Sequence, residues 1–282
     1  MVKIVTDSTS DVPLDAAREL DIGMVPVIVE IDGTSYLDGV TLSRQQFYRH
    51  LDAYREIPRT AAPSVDVFKS AYRAAKATGA SEVISIHLNR RFSVLPEVAG
   101  MAAHEVADEG IHVSIVDSES VTMGLGSLVI RAAQMAQHGS PTDEVVRQIE
   151  MLRPHVRIYA VVDTLRYLRR SGRANAMLAG LGDMLQLKIL LCVRNGLVEQ
   201  IDRVRTRARG LSRLVELAHM HRHVQHLSVL YTTMGQGHDI TMLRENCTDL
   251  VPHNKQYDIQ VTPVLGAHVG PMAIGLAMLA DV

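Results

Sequence analysis

The feature that most constrains this chain is the regular alternation of short apolar runs with longer amphipathic segments through its first half. Val2 to Val5, Glu82 to Leu88 and His112 to Val116 read as buried strands. Leu14 to Leu20, Val65 to Ala77, a segment from Ser93 through Ala107, and Ser127 to His138 read as helices set among them. Met24 to Ile31 adds a strand ending in an Asp32-Gly33 turn, and Thr41-Leu42-Ser43-Arg44 caps a helix from Gln45 to Arg55. This spacing predicts a doubly wound parallel α/β domain over residues 1–153, closed by a helix from Thr142 to Leu152. Ligands of such sheets lie beyond the carboxyl ends of the strands. Three polar turns follow strand ends and are expected at one edge: Thr6 to Ser10, Asn89 to Ser93 and Asp117 to Ser120. Each is a source of helix caps as well as of ligand contacts.

Beyond Arg153-Pro154 the pattern changes. Strands from Ile158 to Val162 and Ile189 to Val193 lead to an Asn195-Gly196 hairpin turn and a strand from Leu197 to Arg203. Helices from Ala208 to Met220 and Ile240 to Leu250 flank a strand from Leu227 to Tyr231. This predicts an α+β domain over residues 154–282, a mixed sheet covered by helices. Near the end, Tyr257 to Leu265 reads as a strand, Gly266 and Gly270 bracket His268, and Pro271 opens a helix from Met272 to Leu279. His268 is thus expected at a strand-to-helix turn, where free N–H groups favour a carboxylate or phosphate and hold the imidazole neutral. There it either fills a polar gap or serves an anion as donor, base or nucleophile.

Composition excludes several classes. Lys and Arg total 29 against 31 Asp and Glu, so no overall field recruits nucleic acid or an anionic membrane. Two cysteines, Cys192 and Cys247, lack any CxxC spacing, which fits free thiols in a reducing cytoplasm. The chain enters a strand at its amino terminus and contains no apolar run of membrane-spanning length, which again predicts a cytoplasmic protein. Thirteen methionines against three phenylalanines and no tryptophan suit either ordinary core filling or an interior that adapts to a flexible apolar ligand.

Arg166, Arg169 and Arg170 share a helical spacing expected of a solvated face, whereas Arg173 follows Ser171-Gly172 and is placed to clamp an anion. His219, His221, His223 and His226 resemble a metal cluster, but no acidic or cysteine ligand stands beside them, and no metal site is assigned. The basic alternation from Arg203 to Arg209 lacks interleaved aromatics and suits protein docking better than nucleic acid. GxGxxG, P-loop and GxSxG signals are missing from the sequence. One reading of the residues is a phosphate-handling enzyme with His268 as base or phosphorylated nucleophile, and Ser8, Ser93 and Arg173 on the phosphate.

The same residues resemble the DegV family, over nearly the whole chain. Ile4-Val5-Thr6-Asp7-Ser8-Thr9-Ser10-Asp11 is similar to its opening motif, and Thr60-Ala61-Ala62-Pro63-Ser64 to its Thr-Ser-x-Pro-Ser segment. Asp117-Ser118 with Gly124-x-Gly126, Asp163-Thr164-Leu165 through Gly172-Arg173, and Gly266-Ala267-His268-Val269-Gly270-Pro271 match later motifs. The resemblance implies a fatty-acid-binding subunit of bacterial fatty acid kinase rather than an enzyme, with no cofactor. One long-chain fatty acid would lie in a tunnel between the two domains, its carboxylate held by Thr60, Ser93 and His268. Ser8, Ser118, Arg173, Gly266 and Gly270 would lie in the head-group vicinity. A separate kinase catalytic subunit would phosphorylate the carboxylate, and the acyl phosphate would pass to phospholipid synthesis through transient contact with a membrane or an acyltransferase. The chain departs from the family in two places. Ala61 and Ala62 replace Ser and Gln, removing two polar groups, and Phe92-Ser93-Val94-Leu95-Pro96 keeps its serine in a bulkier, more apolar loop.

Overall fold

The computed structural model describes residues 1–172, 187–221, 223–233 and 236–280. Its first sheet sets Gly23–Val25 (β2), Val2–Asp7 (β1), Glu82–His87 (β6) and His112–Asp117 (β7) side by side in that order, all parallel. Helices Val65–Ala77 (α3) and Leu95–Val106 (α4) pack together against it, as do Thr122–Gln137 (α5) and Thr142–Leu152 (α6). With helices on both faces, β1 and β6 are buried along nearly their whole length, which is why they read as unbroken apolar runs.

The expected single strand from Met24 to Ile31 is two. Pro26 has no N–H to donate, and the chain turns there from β2 into Ile28–Ile31 (β3), which pairs antiparallel with Thr34–Leu37 (β4) and Arg59–Ala61 (β5) in a separate small sheet. Helix Arg44–His50 (α2) follows β4, its first turn capped by Ser43.

A mixed six-stranded sheet forms the rest of the frame. Its order is Leu197–Val204 (β10), Lys188–Arg194 (β9), Val156–Val162 (β8), Ile274–Ala280 (β13), Val224–Tyr231 (β11) and Gln256–Gln260 (β12). Only β11 and β12 run parallel; the other neighbours are antiparallel. The Asn195-Gly196 turn has both residues at positive φ, the backbone that a two-residue hairpin of this twist needs. Its tip reaches back to the first sheet: Asn89 Nδ2 donates to the Gly196 carbonyl at 2.7 Å, and Gly196 N donates to the Glu119 carbonyl at 3.0 Å.

The carboxyl-terminal expectation is corrected. The strand predicted from Tyr257 to Leu265 ends at Gln260, and Pro263–Val269 is a helix, with Thr262 as its N-cap and Pro263 in its first turn. The stretch predicted as a helix from Met272 to Leu279 is instead β13, a central strand between β8 and β11. Its seven residues are apolar all round, which a helix tolerates only if wholly buried, and that length suits a buried strand. Gly275 is required there, because a side chain would collide with the Tyr159 carbonyl on β8.

α5 joins the sheets. It packs on β1 from one side and on β8 and β13 from the other. Any Cβ at Gly124 would strike Ser120, Ile158 and Val156, and one at Gly126 would strike the Ser10 carbonyl. The Gly124-x-Gly126 pair therefore sets how closely the second sheet approaches the first, and one core cluster runs from Ile4 through Leu128 to Ile158, Leu230 and Leu279.

Candidate functional site

The carboxyl ends of β1, β6 and β7 converge as the sequence predicts. Asn89 N donates to the Ser120 carbonyl and Ser118 N to the His87 carbonyl, both at 3.0 Å. Beneath them lies a fully buried polar row in which His87 Nδ1 is 2.9 Å from Asp7 Oδ2, Ser85 Oγ is 2.6 Å from His87 Nε2, and Tyr72 Oη donates to Ser85 Oγ at 3.0 Å. The order matches a hydrolase triad, but Ser85 borders neither of the cavities described below, so no substrate reaches it. The row fixes the loops instead: Asp7 also accepts from the Leu88 backbone at 3.2 Å and from Thr9, two residues that line a cavity.

That cavity, of about 690 Å³, lies where the three sheets meet. The second sheet contributes Ile158, Ala160 and Val162 from alternate positions of β8, with Leu191 and Val193 from β9 behind them. Val27 and Leu88, the loop from Arg90 to Leu95, and Val261, Val264 and Leu265 complete most of the wall. The lining is aliphatic over most of its area, and its volume falls within the range of small-molecule sites.

Polar groups gather at Thr60 and His268. Thr60 is carried by β5 and is held in register opposite Val29. His268 sits in the last turn of Pro263–Val269, its Nε2 3.0 Å from Thr60 Oγ1. His268 therefore sits in the last turn of a helix rather than before the first turn of one, and the helix N-terminus expected to favour an anion beside it is not there. Gly270 at φ +76° ends the helix, closely covered by the Tyr167 ring. Gly266 lets the helix pack on Phe47 and Tyr48 of α2. Both glycines shape the backbone that carries His268, and neither lines the cavity.

Ser93 lines the cavity, and its hydroxyl accepts from Leu95 N at 3.3 Å at the start of α4. Ala61 and Ala62, the two substitutions in the Thr60 motif, line it as well, so the missing polar groups leave an apolar wall beside Thr60. Ser8 and Ser118 do not line it: Ser8 Oγ accepts from Val27 N at 3.2 Å, and Ser118 Oγ donates to the Ser120 carbonyl at 3.2 Å. Arg173 lies outside the described residues. Sequence reasoning passed over Thr9, Thr122, Ser171 and Thr232, which add polar atoms to the lining. The rule about strand ends applies to Thr232 directly, since it follows the last residue of β11.

A second pocket of about 300 Å³ shares Thr60, Ser171 and His268 with the first and is otherwise lined by Glu56, Ile57, Pro58, Arg59 and Arg170. Arg59 and Glu56 are largely exposed, so Thr60 and His268 stand between an apolar interior and a polar, solvent-facing pocket.

The DegV family of uncharacterised proteins matches residues 1–281. The chain belongs to the DegV family. A DegV domain-containing protein of Deinococcus radiodurans is 36% identical over 281 residues, covering 98% of each chain. The fold is likewise shared with solved DegV-family structures. A fatty-acid-binding member from Thermus thermophilus is 26% identical with a TM-score of 0.88, covering 99% of both chains. DegV of Bacillus subtilis, a fatty acid binding protein, gives the same identity, TM-score and coverage.

Three of the four clustered histidines of this DegV protein make local contacts. His219 Nε2 is 3.0 Å from Asp249, His221 Nε2 is 3.1 Å from the Tyr159 hydroxyl, and His226 stacks on Tyr257. Among the described residues, no group of three or more His, Cys, Asp or Glu is arranged to hold a metal ion. Burial pushes the Cys192 thiol up to about 11 and the Cys247 thiol to about 12, so neither is a thiolate at neutral pH. No helix among the described residues is long and apolar enough to cross a membrane.

Proposed function

We propose that this chain binds one long-chain fatty acid in the larger cavity, its carboxylate held by Thr60, Ser93 and His268. The observation that carries this reading is the aliphatic cavity of about 690 Å³ that meets polar side chains at the 3.0 Å Thr60–His268 contact. Burial of an acyl chain contributes about 0.8 kcal/mol per methylene, so the wall supplies affinity and the polar end supplies orientation. The fatty acid binding of the Thermus and Bacillus relatives supports the same ligand class. The phosphate-enzyme alternative calls for a compact polar site as the principal cavity, whereas here the principal cavity is apolar.

The finer reading is that the chain presents the carboxylate to a separate kinase subunit, which forms an acyl phosphate for phospholipid synthesis. Its support is the outer pocket, through which a carboxylate at Thr60 and His268 is approachable past Arg59 and Arg170. The same proposal takes the chain as two domains, residues 1–153 and 154–282, with the ligand at their junction.

The test is mass spectrometry of an organic extract of the purified protein, followed by titration of delipidated protein with palmitate and oleate. One fatty acid per chain is expected, together with ATP-dependent acyl phosphate formation when a bacterial fatty acid kinase subunit is added. Protein that takes up neither fatty acid contradicts the binding reading; binding without any acyl phosphate contradicts the presenting role alone.

A further inference from the structure

The helix that carries His268 is held at its opposite end by an ion pair between a buried carboxylate and a partly exposed arginine. Asp11 is 1% exposed and takes a left-handed backbone, φ +56°, at the turn after β1. Its Oδ1 accepts from the Thr262 backbone N–H at 3.0 Å and lies 3.0 Å from Arg44 Nη2, while Oδ2 accepts from the Thr122 hydroxyl at 2.6 Å. Arg44, the first residue of α2, also donates through Nη1 to the Gln260 carbonyl. One turn further along α2, the Tyr48 hydroxyl donates to the Val261 carbonyl at 3.1 Å. Residues 260, 261 and 262 are thus each tied to Asp11 or to α2, immediately before Thr262 caps the helix Pro263–Val269.

A buried carboxylate is an expensive way to hold a backbone N–H. Burial pushes Asp11 up to about 6 against the pull of Arg44, Thr122 and Thr262, and the nearby Asp7 raises it further. A neutral side chain would serve a turn as well. What the charge adds is a charge-assisted, two-sided hold on one short helix, seven residues long, whose last turn carries the histidine. A shift of that helix along its axis would move His268 against Thr60, which is fixed independently on β5.

We infer that Asp11, paired with Arg44, is a positioning residue for His268 and sets the register of the Thr60–His268 pair against the ligand's carboxylate. This rests on the fatty-acid reading above. Asp11 borders neither cavity, so it acts only through the helix.

The test compares palmitate with hexadecanol, which has the same chain length and no charge, on wild type, Asp11→Asn, His268→Ala and the double variant. Asp11→Asn should cost palmitate about tenfold in affinity, part of the effect of losing a charge-assisted hydrogen bond, and leave hexadecanol unchanged. In the His268→Ala background, Asp11→Asn should change nothing further, because both substitutions act on one contact. Equal losses for acid and alcohol, unaltered palmitate binding, or additive effects in the double variant would each overturn the inference. If Asp11→Asn does not fold, Arg44→Gln takes its place in the same cycle; its side chain is 34% exposed and its removal leaves Thr262 N bonded to Asp11. Wild type that binds palmitate no better than hexadecanol would instead overturn the head-group reading itself, and the inference with it.

Discussion

Two buried regions of this protein lie side by side and are built on opposite rules. The cavity wall of Ile158, Ala160, Val162, Leu191 and Val193 is aliphatic and leaves space unfilled. The cluster of Asp7, Asp11 and Asp38 is equally sequestered but polar, and Arg44 is the cation that pulls Asp11 and Asp38 down against their burial. An apolar wall without a ligand forfeits packing, and a buried carboxylate carries a desolvation penalty, so each region is a cost to stability by itself. The difference teaches a division of labour in which open aliphatic surface provides binding energy and buried charge provides placement.

Filling the cavity tests the first half of that contrast and has the largest expected effect. Ala160→Phe sets a ring in the middle of the β8 row. Displacing about four methylenes at about 0.8 kcal/mol each should weaken palmitate binding about a hundredfold or more. A medium-chain acid, titrated in the same calorimeter, should lose far less. Uniform loss for all chain lengths would mean that the chain does not run along β8.

Removing the polar end should have a smaller effect. His268→Ala deletes one hydrogen bond to a charged group, on the order of 1.5–3 kcal/mol, and leaves the methylene contacts in place. The melting temperature should scarcely change, since the helix is fixed by Thr262, Pro263 and Gly270 rather than by the imidazole. A variant that melts far below wild type yet binds normally would make the histidine a structural residue.

Stability against pH probes the second region. Asp38 is 2% exposed, and burial pushes it up to about 7 against the pull of the Ser8 hydroxyl and Arg44. A raised carboxyl group stabilises the fold below its unfolded value near 4, and that contribution is lost as pH rises through about 7. Asp38→Asn cannot ionise, so it should be more stable than wild type at pH 8 by on the order of 1–2 kcal/mol, and the gain should shrink as pH falls and be nearly gone by pH 4. Denaturant melts at the two pH values decide it; a gain of equal size at both would deny that Asp38 is charged in the folded protein at pH 8.

The smallest effect is expected at the rim. Arg90 is exposed and paired with Asp117 at 2.9 Å, so Arg90→Ala should change stability by no more than about 0.5 kcal/mol. A larger loss of palmitate affinity than of stability would assign the arginine to ligand entry.

Much of this architecture was legible in the sequence, because parallel strands covered on both faces leave unbroken apolar runs and the turns after them carry polar residues. Val2–Asp7 and Glu82–His87 follow both halves of that rule, while His112–Asp117, a half-buried edge strand, follows it only in the polar turn after it. The end of the chain was not legible for the same reason. Ile274–Ala280 is apolar all round, and periodicity does not distinguish a buried helix from a central strand, while Pro271 and small residues mimic a helix start. That misreading carried over to His268, whose helix lies before it rather than after. Thr60 and Ser93 were singled out by motif, and their place in the lining depends on contacts across the fold. Thr60 faces His268 from 208 residues away. Asp11 was visible only as part of a hydroxyl-rich turn. Its bond to Thr262 spans 251 residues, and no local pattern encodes it.

The most direct test of the central claim is a crystal structure of the protein with a bound long-chain fatty acid. The account predicts a carboxylate within hydrogen-bond distance of Thr60 Oγ1 and His268 Nε2, and an acyl chain running along Ile158, Ala160 and Val162. A carboxylate at the opposite end of the cavity, or a cavity that stays empty under saturating fatty acid, would contradict it.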